Sequence, residues 1–357
     1  MSFELKNNKP IEIFCGTGGV GKTTLATSRA LFLASIGKKV LLITIDPARR
    51  LKQILHLEES SAGETATVPL SIFGEGYGEK TLDALLMNPA KTLKRLGEQS
   101  KTEKEFENRI IKILSRPHGG MNEILATVEV QYQLNQKIYD TIILDTPPGK
   151  HFLDFLDASH KIKQFFDSSF VDIFKFLGKN FENKPSKAKK IMGLIVSSGI
   201  KKLLSYLEKV TGPDFVNTFV DAIVALYKNK DQFLYALDFQ EGLTKKSTSN
   251  WYLVTSAEQN KINEAKDLQH HAKIFLHEDS YLAINKCLSP YLNQWKTDNS
   301  RTLTHVKKTM LERENRLKQM AHQSFAKTLD FPEVLGPTPE EHVQELSKAW
   351  SQWESPQ

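Results

Sequence analysis

The segment from Gly16 to Thr24, Gly-Thr-Gly-Gly-Val-Gly-Lys-Thr-Thr, has residue types and spacing suited to binding phosphate. It fits the pattern G-x-x-x-x-G-K-[ST], in which glycines let backbone N–H groups surround an anion at the start of a helix. Lys22 is expected to reach the β- and γ-phosphates of a nucleotide, Thr23 to bind Mg²⁺ and Thr24 to contact the α-phosphate. The predicted nucleotide-binding residues of this loop are Gly16, Thr17, Gly18, Gly19, Val20, Gly21, Lys22, Thr23 and Thr24.

Two aspartates stand where such a site needs acidic groups. Asp46 follows one apolar strand-like run, and Asp145 ends another. In a doubly wound sheet the carboxyl ends of the strands face the ligand crevice, so both aspartates should meet the loop there. Asp145 is then placed to orient Mg²⁺ through water. The sequence predicts metal ligands at Thr23, Asp46 and Asp145, and catalytic roles for Lys22, Asp46 and Asp145.

Strands and helices that would hold these residues alternate along the chain. Ile11–Cys15 predicts a strand buried on both faces, and Thr23–Ser35 predicts a helix that ends at Gly37. Further strands are predicted at Val40–Ile45, Tyr139–Asp145, 251–255 and 281–285. This alternation indicates the α/β class, with a doubly wound, mostly parallel sheet.

The remaining chain is predominantly helical in pattern. Helices are predicted at 81–97, 102–115, 121–137, 302–323 and 339–353, and residues 57–80 are expected to form a loop. We interpret residues 1–357 as one nucleotide-binding domain with an inserted helical subdomain formed by about 81–137 and 151–240. Two stripes of apolar residues at helical spacing could line a groove for an apolar helix or simply pack into the subdomain core. Their members are Ile162, Phe166, Phe170, Ile173, Phe174 and Leu177, then Phe215, Phe219, Ile223, Leu226 and Tyr227.

Composition excludes several other classes of protein. The 357 residues are 40% hydrophobic, enough for a sizeable core, and no apolar run reaches the roughly 20 residues that span a bilayer. The N-terminal residues do not have the pattern of a signal peptide, so a cytoplasmic location is expected. The net charge is +6, and the basic run 184–190 is typical of a solvated linker rather than a lipid or nucleic-acid site. No nucleic-acid partner is expected.

Three segments, GTGGVGKTT, TIDPARRL and LDTPPGKHFLDFL, resemble in order and spacing the arsenite-pump ATPase family of anion-transporting ATPases. The same family includes ATPases that target tail-anchored membrane proteins. The resemblance implies that Asp46 positions or activates the attacking water within a switch I segment, Asp46–Leu51. It also implies that Asp145–Gly149 is switch II, which senses the γ-phosphate. Asn285 matches the asparagine that reads the adenine edge, which favours ATP over GTP.

The number of phosphate loops bears on assembly. Family members with two tandem halves carry two loops, and this chain has one, so the resemblance implies a homodimer with two nucleotides near its interface. The implied function is an Mg²⁺-dependent ATP-hydrolysing switch, cycling between ATP and ADP, that couples nucleotide state to binding of a client or partner. That client could be a segment of a membrane protein. Two alternatives stay open: a nucleotide-sensing binding protein with negligible turnover, and the ATPase subunit of a membrane anion transporter.

The chain departs from the family in two respects. The family's usual loop lysine is replaced by Thr17, and we hypothesise that Arg49 or Arg50 supplies a cation instead. The two cysteines, Cys15 and Cys287, are far apart and form no C-x-x-C pair. Since arsenite sites need clustered thiolates and zinc clasps need paired cysteines, neither arsenite nor zinc is an expected ligand. Both cysteines are interpreted as buried hydrophobic residues.

Overall fold

A computed structural model describes residues 9–45, 49–101, 103–115, 121–166, 205–206, 208–276, 280–298 and 300–353. The chain divides into two compact units. The first comprises Met1–Met87, Gln133–Leu156 and Gln240–Gln357, and the second comprises Asn88–Tyr132 and Asp157–Phe239. The basic run at 184–190 and most of the first apolar stripe lie outside the described residues.

The first unit is built on one sheet. In the described ranges its strands are β1 Ile11–Gly16, β2 Val40–Thr44, β3 Thr65–Pro69, β4 Thr81–Leu86, β5 Thr141–Asp145, β6 Ser249–Ser256, β7 Tyr281–Cys287 and β8 Lys327–Pro332. Their spatial order is β3-β4-β2-β5-β1-β6-β7-β8. Each neighbouring pair is parallel except β3–β4, which is antiparallel. The predicted α/β class with a mostly parallel sheet is confirmed.

The central strands are buried along their whole length, and most of their residues are apolar. Every residue of β1, β2, β5 and β6 is buried, because helices cover parallel sheets on both faces. Within the described part of the first unit these helices are α1 Lys22–Ser35, α2 Arg49–Leu55, α7 Lys150–Leu156, α12 Gln259–His271, α13 Ser289–Gln294, α14 Arg301–His322 and α15 Pro339–Trp350. The predicted strands and helices around the phosphate loop therefore form within one or two residues of their expected bounds.

Residues 57–86 differ from the prediction. The expected loop at 57–80 contains strand β3, and the expected helix at 81–97 begins instead with strand β4. The helix starts only at Pro89, where the Asn88 side chain accepts hydrogen bonds from two backbone N–H groups. The error has a physical cause: β3 is short and mostly exposed at the sheet edge, so its sequence lacks the apolar run by which buried strands are recognised.

The core of the first unit contains a charged pair. Glu12 and Arg29 are almost completely buried, and the guanidinium donates to both carboxylate oxygens, over 2.8 and 3.0 Å. The same guanidinium lies 5.0 Å from the ring centroid of Trp350, whose own Nε1 donates to Ser28 over 2.9 Å. A buried pair of this kind is costly to break, since either partner alone would be an uncompensated charge. It connects β1 to α1 beside the phosphate loop.

The second unit is helical in its described part. Its helices are α3 Pro89–Ser100, α4 Glu103–Phe106, α5 Arg109–Leu114, the larger part of α6 Asn122–Gln136, α8 Ala158–Phe166, α9 Pro213–Lys228, α10 Lys230–Tyr235 and the start of α11 Leu237–Leu243. In the second apolar stripe, Ile223 and Leu226 are buried, whereas Phe215 is 41% exposed. Among the described residues, the helices lack the length and apolar character needed to cross a bilayer.

Candidate functional site

The phosphate loop joins the carboxyl end of β1 to the amino end of α1. Gly21 precedes α1 with φ +84°, a left-handed conformation that glycine adopts without strain. A Cβ atom there would lie 2.5 Å from the Asn285 side-chain nitrogen. At Gly16, with φ +151°, a Cβ atom would lie 2.3 Å from the carbonyl oxygen of Val254. Gly16 is therefore required by the close approach of another backbone, whereas at Gly21 the backbone conformation favours glycine and a Cβ atom would displace the Asn285 side chain.

Four polar side chains meet at the first turn of α1. The Thr23 hydroxyl donates to the carboxylate of Asp145 over 2.7 Å, and the Lys22 Nζ atom lies 3.8 Å from the other carboxylate oxygen. Thr44, at the end of β2, donates to Asp145 over 3.3 Å. Asp145 is 1% exposed and Lys22 is 9% exposed. The ends of β2 and β5 thus hold a buried carboxylate directly against the lysine and threonine of the loop.

The segment after Asp145 is attached to the same loop. Thr146 donates its side-chain hydroxyl to the backbone oxygen of Phe14 over 2.9 Å. The backbone N–H of Gly149 donates to the carbonyl oxygen of Gly16 over 3.1 Å. A shift in either segment would therefore be transmitted to the other, a connection of the kind that a phosphate-sensing switch requires.

A cavity of about 460 Å³ lies over the loop. One end is lined by loop residues that include Thr17, Lys22 and Thr23, together with Pro148 and Arg50. The other end is lined by Asn285, Lys286, Pro332, Glu333, Val334, His342 and Leu346. A volume of this size suits a nucleotide, with a polar end for phosphates and a mixed, partly apolar end for a base.

Asn285 lines the cavity and contacts the phosphate loop directly. It is 4% exposed, is the last residue of β7 paired with β6, and donates from its side-chain nitrogen to the carbonyl oxygen of Val20 over 2.9 Å. The next residue, Lys286, has φ +62°, and the pairing of β7 with β8 is irregular between Ile284 and Cys287. The irregular backbone turns Asn285 and Lys286 towards the cavity. The amide oxygen and one N–H of Asn285 are left for a ligand.

Oxygen donors suited to a hard divalent cation are present at the phosphate end. Thr23 supplies a hydroxyl and Asp145 a carboxylate, already hydrogen-bonded to each other. Mg²⁺ prefers such oxygen ligands and keeps several waters, so the residues present fit a magnesium ion. Asp46, the third predicted ligand, lies outside the described residues.

Of the two arginines that could supply a cation, the structure describes the side chain of one. Arg50, in α2, is exposed and lines the cavity of its own chain. The side chain of Arg49 lies outside the described part of the structure. Arg50 is accordingly the arginine that the described geometry places beside the phosphate end.

The base end of the cavity contains residues that the sequence analysis missed. Pro332, Glu333 and Val334 follow strand β8, which was not predicted, and His342 and Leu346 come from α15. Strand β8 reads Lys-Thr-Leu-Asp-Phe-Pro, too polar to be recognised by an apolar run. Its carboxyl end falls at the same edge of the sheet as the phosphate loop because β8 is parallel to β7. Recognising that strand would have pointed to the residues after it.

Comparison with known proteins places the chain in a family. A family model described as anion-transporting ATPase matches residues 10–328. The chain belongs to the anion-transporting ATPase family. The match includes the phosphate loop, Asp145 and Asn285, and it agrees with the resemblance of the three sequence segments to arsenite-pump ATPases.

Individual members of this ATPase family match over shorter segments. The chain is 31% identical over 144 residues to ATPase get3 of Schizosaccharomyces japonicus, covering 40% of this chain and 41% of that protein. It is 31% identical over 185 residues to the putative arsenical pump-driving ATPase 2 of Aquifex aeolicus, covering 50% and 57%. It is 27% identical over 179 residues to ATPase GET3 of Malassezia globosa, covering 48% of each chain. The chain thus spans about half the length of the curated relatives it matches.

The two cysteines are buried free thiols at the sheet. Burial raises the pKa of Cys15 to about 12, despite the lowering effect of nearby Lys22, and burial also raises the pKa of Cys287 to about 12. Thiols in this state are neutral at physiological pH and are poor metal ligands or nucleophiles. Among the described residues, no group of three or more His, Cys, Asp or Glu side chains could hold a metal ion.

Proposed function

We propose that this protein binds ATP with Mg²⁺ and hydrolyses it as a molecular switch. The observation that carries the proposal is the buried arrangement of Lys22, Thr23 and Asp145 beside a nucleotide-sized cavity. Membership of the anion-transporting ATPase family supports the reaction. The curated relatives named as ATPases support it further.

Each side chain has a role in this proposal. The loop N–H groups and Lys22 hold the phosphates, and Thr23 and Asp145 hold Mg²⁺, which neutralises phosphate charge when bound. Asp46 orients the attacking water and accepts its proton. Catalysis is then mostly positioning and charge neutralisation in a cavity that limits solvent. The link between Gly149 and Gly16 transmits the presence of the γ-phosphate from the loop to the segment that begins at Asp145.

We further propose that the active unit is a homodimer and that nucleotide state controls binding of a client or partner protein. A single phosphate loop per chain supports the dimer. For the client site, the second unit is the candidate, since Phe215 and Phe219 stack with their centroids 6.5 Å apart on α9 and Phe215 is exposed. An exposed phenylalanine stacked on a half-buried one offers an apolar surface that suits an apolar helix. A hydrophobic dye whose fluorescence does not change with nucleotide would argue against this site.

The test of the switch is ATP turnover per protomer over a wide range of protein concentration. Asp46→Asn is the matched control, because it keeps the size of the side chain and removes its charge. A wild-type rate that rises with concentration, together with an inactive variant that still binds ATP, is expected for a hydrolysing dimer. Binding without turnover in the wild type would refute hydrolysis and leave a nucleotide-dependent binder. A measurable turnover rate per protomer that does not change with protein concentration would give no support for dimer assembly during ATP hydrolysis.

Arg50 is proposed to supply the cation that the usual loop lysine supplies elsewhere in the family. Its place at the phosphate end of the cavity supports a role on the nucleotide of its own chain. Arg50→Ala should lower turnover at least tenfold, whereas Arg49→Ala should change it less. Unchanged turnover in Arg50→Ala would contradict this role.

A further inference from the structure

The base end of the cavity carries a polar side chain with a defined hydrogen-bonding state. His342 lines this end, and its Nε2 atom lies 2.7 Å from the carbonyl oxygen of Gly336. A carbonyl oxygen only accepts, so Nε2 carries the hydrogen and Nδ1 of the neutral ring carries a lone pair. Within the described part of the chain, Nδ1 forms no hydrogen bond. In its neutral form the ring therefore offers an acceptor at Nδ1.

Packing of α15 along α1 fixes where this ring lies. Trp350 donates to Ser28, and Leu346 and His342 lie one and two helical turns before Trp350 on the same face of α15. Leu346 and Thr24 both line the cavity. This face of α15 therefore lies near the first turn of α1. His342, one turn before Leu346 in α15, lies at the base end of the cavity.

We infer that His342 selects the base of the bound nucleotide by accepting a hydrogen bond from an exocyclic amino group. Adenine presents an amino group at C6, where guanine presents a carbonyl oxygen. An Nδ1 lone pair pairs with the first and is repelled by the second, so this residue favours ATP over GTP. The inference rests on the proposed nucleotide-binding function and goes beyond it by naming a residue that determines base specificity.

The expectation that Asn285 favours ATP over GTP does not follow from the hydrogen-bonding groups of its side chain alone. Its amide has both a donor and an acceptor, and one of its N–H groups is committed to Val20. The remaining N–H and the oxygen can satisfy either purine after a small adjustment. His342 has no such freedom, because its bond to Gly336 fixes which nitrogen carries the hydrogen. A fixed acceptor discriminates more strongly than an amide that can serve both ways.

Two substitutions test separately the acceptor at Nδ1 of His342 and the hydrogen bond from its Nε2 to Gly336. His342→Gln places an amide N–H near the position of Nε2, so it keeps the donor to Gly336 and removes the acceptor at Nδ1. His342→Asn places an oxygen near the position of Nδ1, so it keeps the acceptor and removes the bond to Gly336. Titration calorimetry on the full chain measures the affinities of ATP and GTP. For the wild type and for each variant, both affinities are measured on the same protein preparation. Their ratio does not depend on the fraction of protein that is folded.

The expected result is a preference for ATP in the wild type that falls about tenfold in His342→Gln, the effect of losing one hydrogen bond. In His342→Asn the ratio should stay within about threefold of the wild-type ratio. The affinity for inorganic tripolyphosphate should be unchanged in both variants, since the phosphate end is untouched.

An unchanged ratio in His342→Gln, or an equal loss in both variants, would overturn the inference and assign His342 to anchoring the loop. Failure of the wild type to bind ATP, GTP or tripolyphosphate would refute the nucleotide function itself. That outcome is distinct from one in which the wild type binds both nucleotides and the ratio of their affinities is the same in His342→Gln.

Discussion

Replacing Thr17 with valine should stabilise the empty protein and weaken its binding of ATP. Thr17 is 6% exposed, and its hydroxyl forms no hydrogen bond to the residues that the structure describes. A buried hydroxyl without a partner costs about 1–3 kcal/mol. Valine has nearly the same shape and lacks that hydroxyl, so Thr17→Val should recover much of this cost. With an unfolding entropy of about 2.1 cal/mol/K per residue, the melting temperature should rise by about 1–4 °C.

The effect on ATP should have the opposite sign. Thr17 lines the phosphate end of the cavity, so its hydroxyl is available to donate to a phosphate oxygen. A hydrogen bond to a charged group contributes about 1.5–3 kcal/mol, which corresponds to a loss of affinity of roughly 10- to 150-fold. The assay combines thermal unfolding without nucleotide and calorimetric titration with a non-hydrolysable ATP analogue. Thr17→Ser is the control, since it keeps the hydroxyl and should bind the analogue nearly as the wild type does.

The reasoning fails if Thr17→Val binds the analogue with unchanged affinity, because the hydroxyl would then have no role in phosphate binding. It also fails if the variant is less stable than the wild type, because the hydroxyl would then be satisfied in the empty protein. A parallel titration with ADP shows which phosphate is contacted. A loss confined to the ATP analogue places the hydroxyl on the γ-phosphate.

Three other predictions follow from contacts around the loop. Gly21→Ala should abolish measurable nucleotide binding in calorimetry, because its Cβ atom would lie 2.5 Å from the Asn285 nitrogen at φ +84°; binding within threefold of wild type would contradict this. Glu12→Gln leaves Arg29 buried beside a neutral amide, so the free energy of unfolding, measured with denaturant, should fall by about 3–5 kcal/mol. A decrease below about 1 kcal/mol would show that the ion pair contributes little to stability. Cys15, with its pKa raised to about 12 by burial, should resist alkylation at pH 8 in the native protein and react only after unfolding, as mass spectrometry would show; rapid labelling of the folded protein would contradict this burial.

The strands and helices around the phosphate loop could be predicted because their residues carry local signals. Strand β1 is mostly apolar, with Glu12 as its one charged residue, and the loop that follows has glycines at the positions that need them. The meeting of Asp145 with this loop could also be predicted, since carboxyl ends of parallel strands share one edge of the sheet. The structure places Thr23 and Asp145 in direct contact.

Strands β3, β4 and β8 could not be predicted because edge strands are short and mixed in composition. The pairing that stabilises them comes from neighbours far away in sequence, as with β8 and β7. For the same reason, the burial of Glu12 could not be predicted from the sequence. A glutamate inside an apolar strand has no visible partner until the fold brings Arg29 within 2.8 Å.

The sequence by itself determined the fold class and the family, and it predicted a phosphate-binding loop, because glycine spacing and apolar runs act over a few neighbouring residues. Only the tertiary structure decided the base end. Packing of α15 against α1 brings His342 to a cavity that begins more than 300 residues earlier in the chain. No local pattern encodes that approach, since it depends on how two helices and the ends of β7 and β8 pack together. The hydrogen bond to Gly336, which fixes the donor and acceptor sides of the ring, is equally a product of the folded chain.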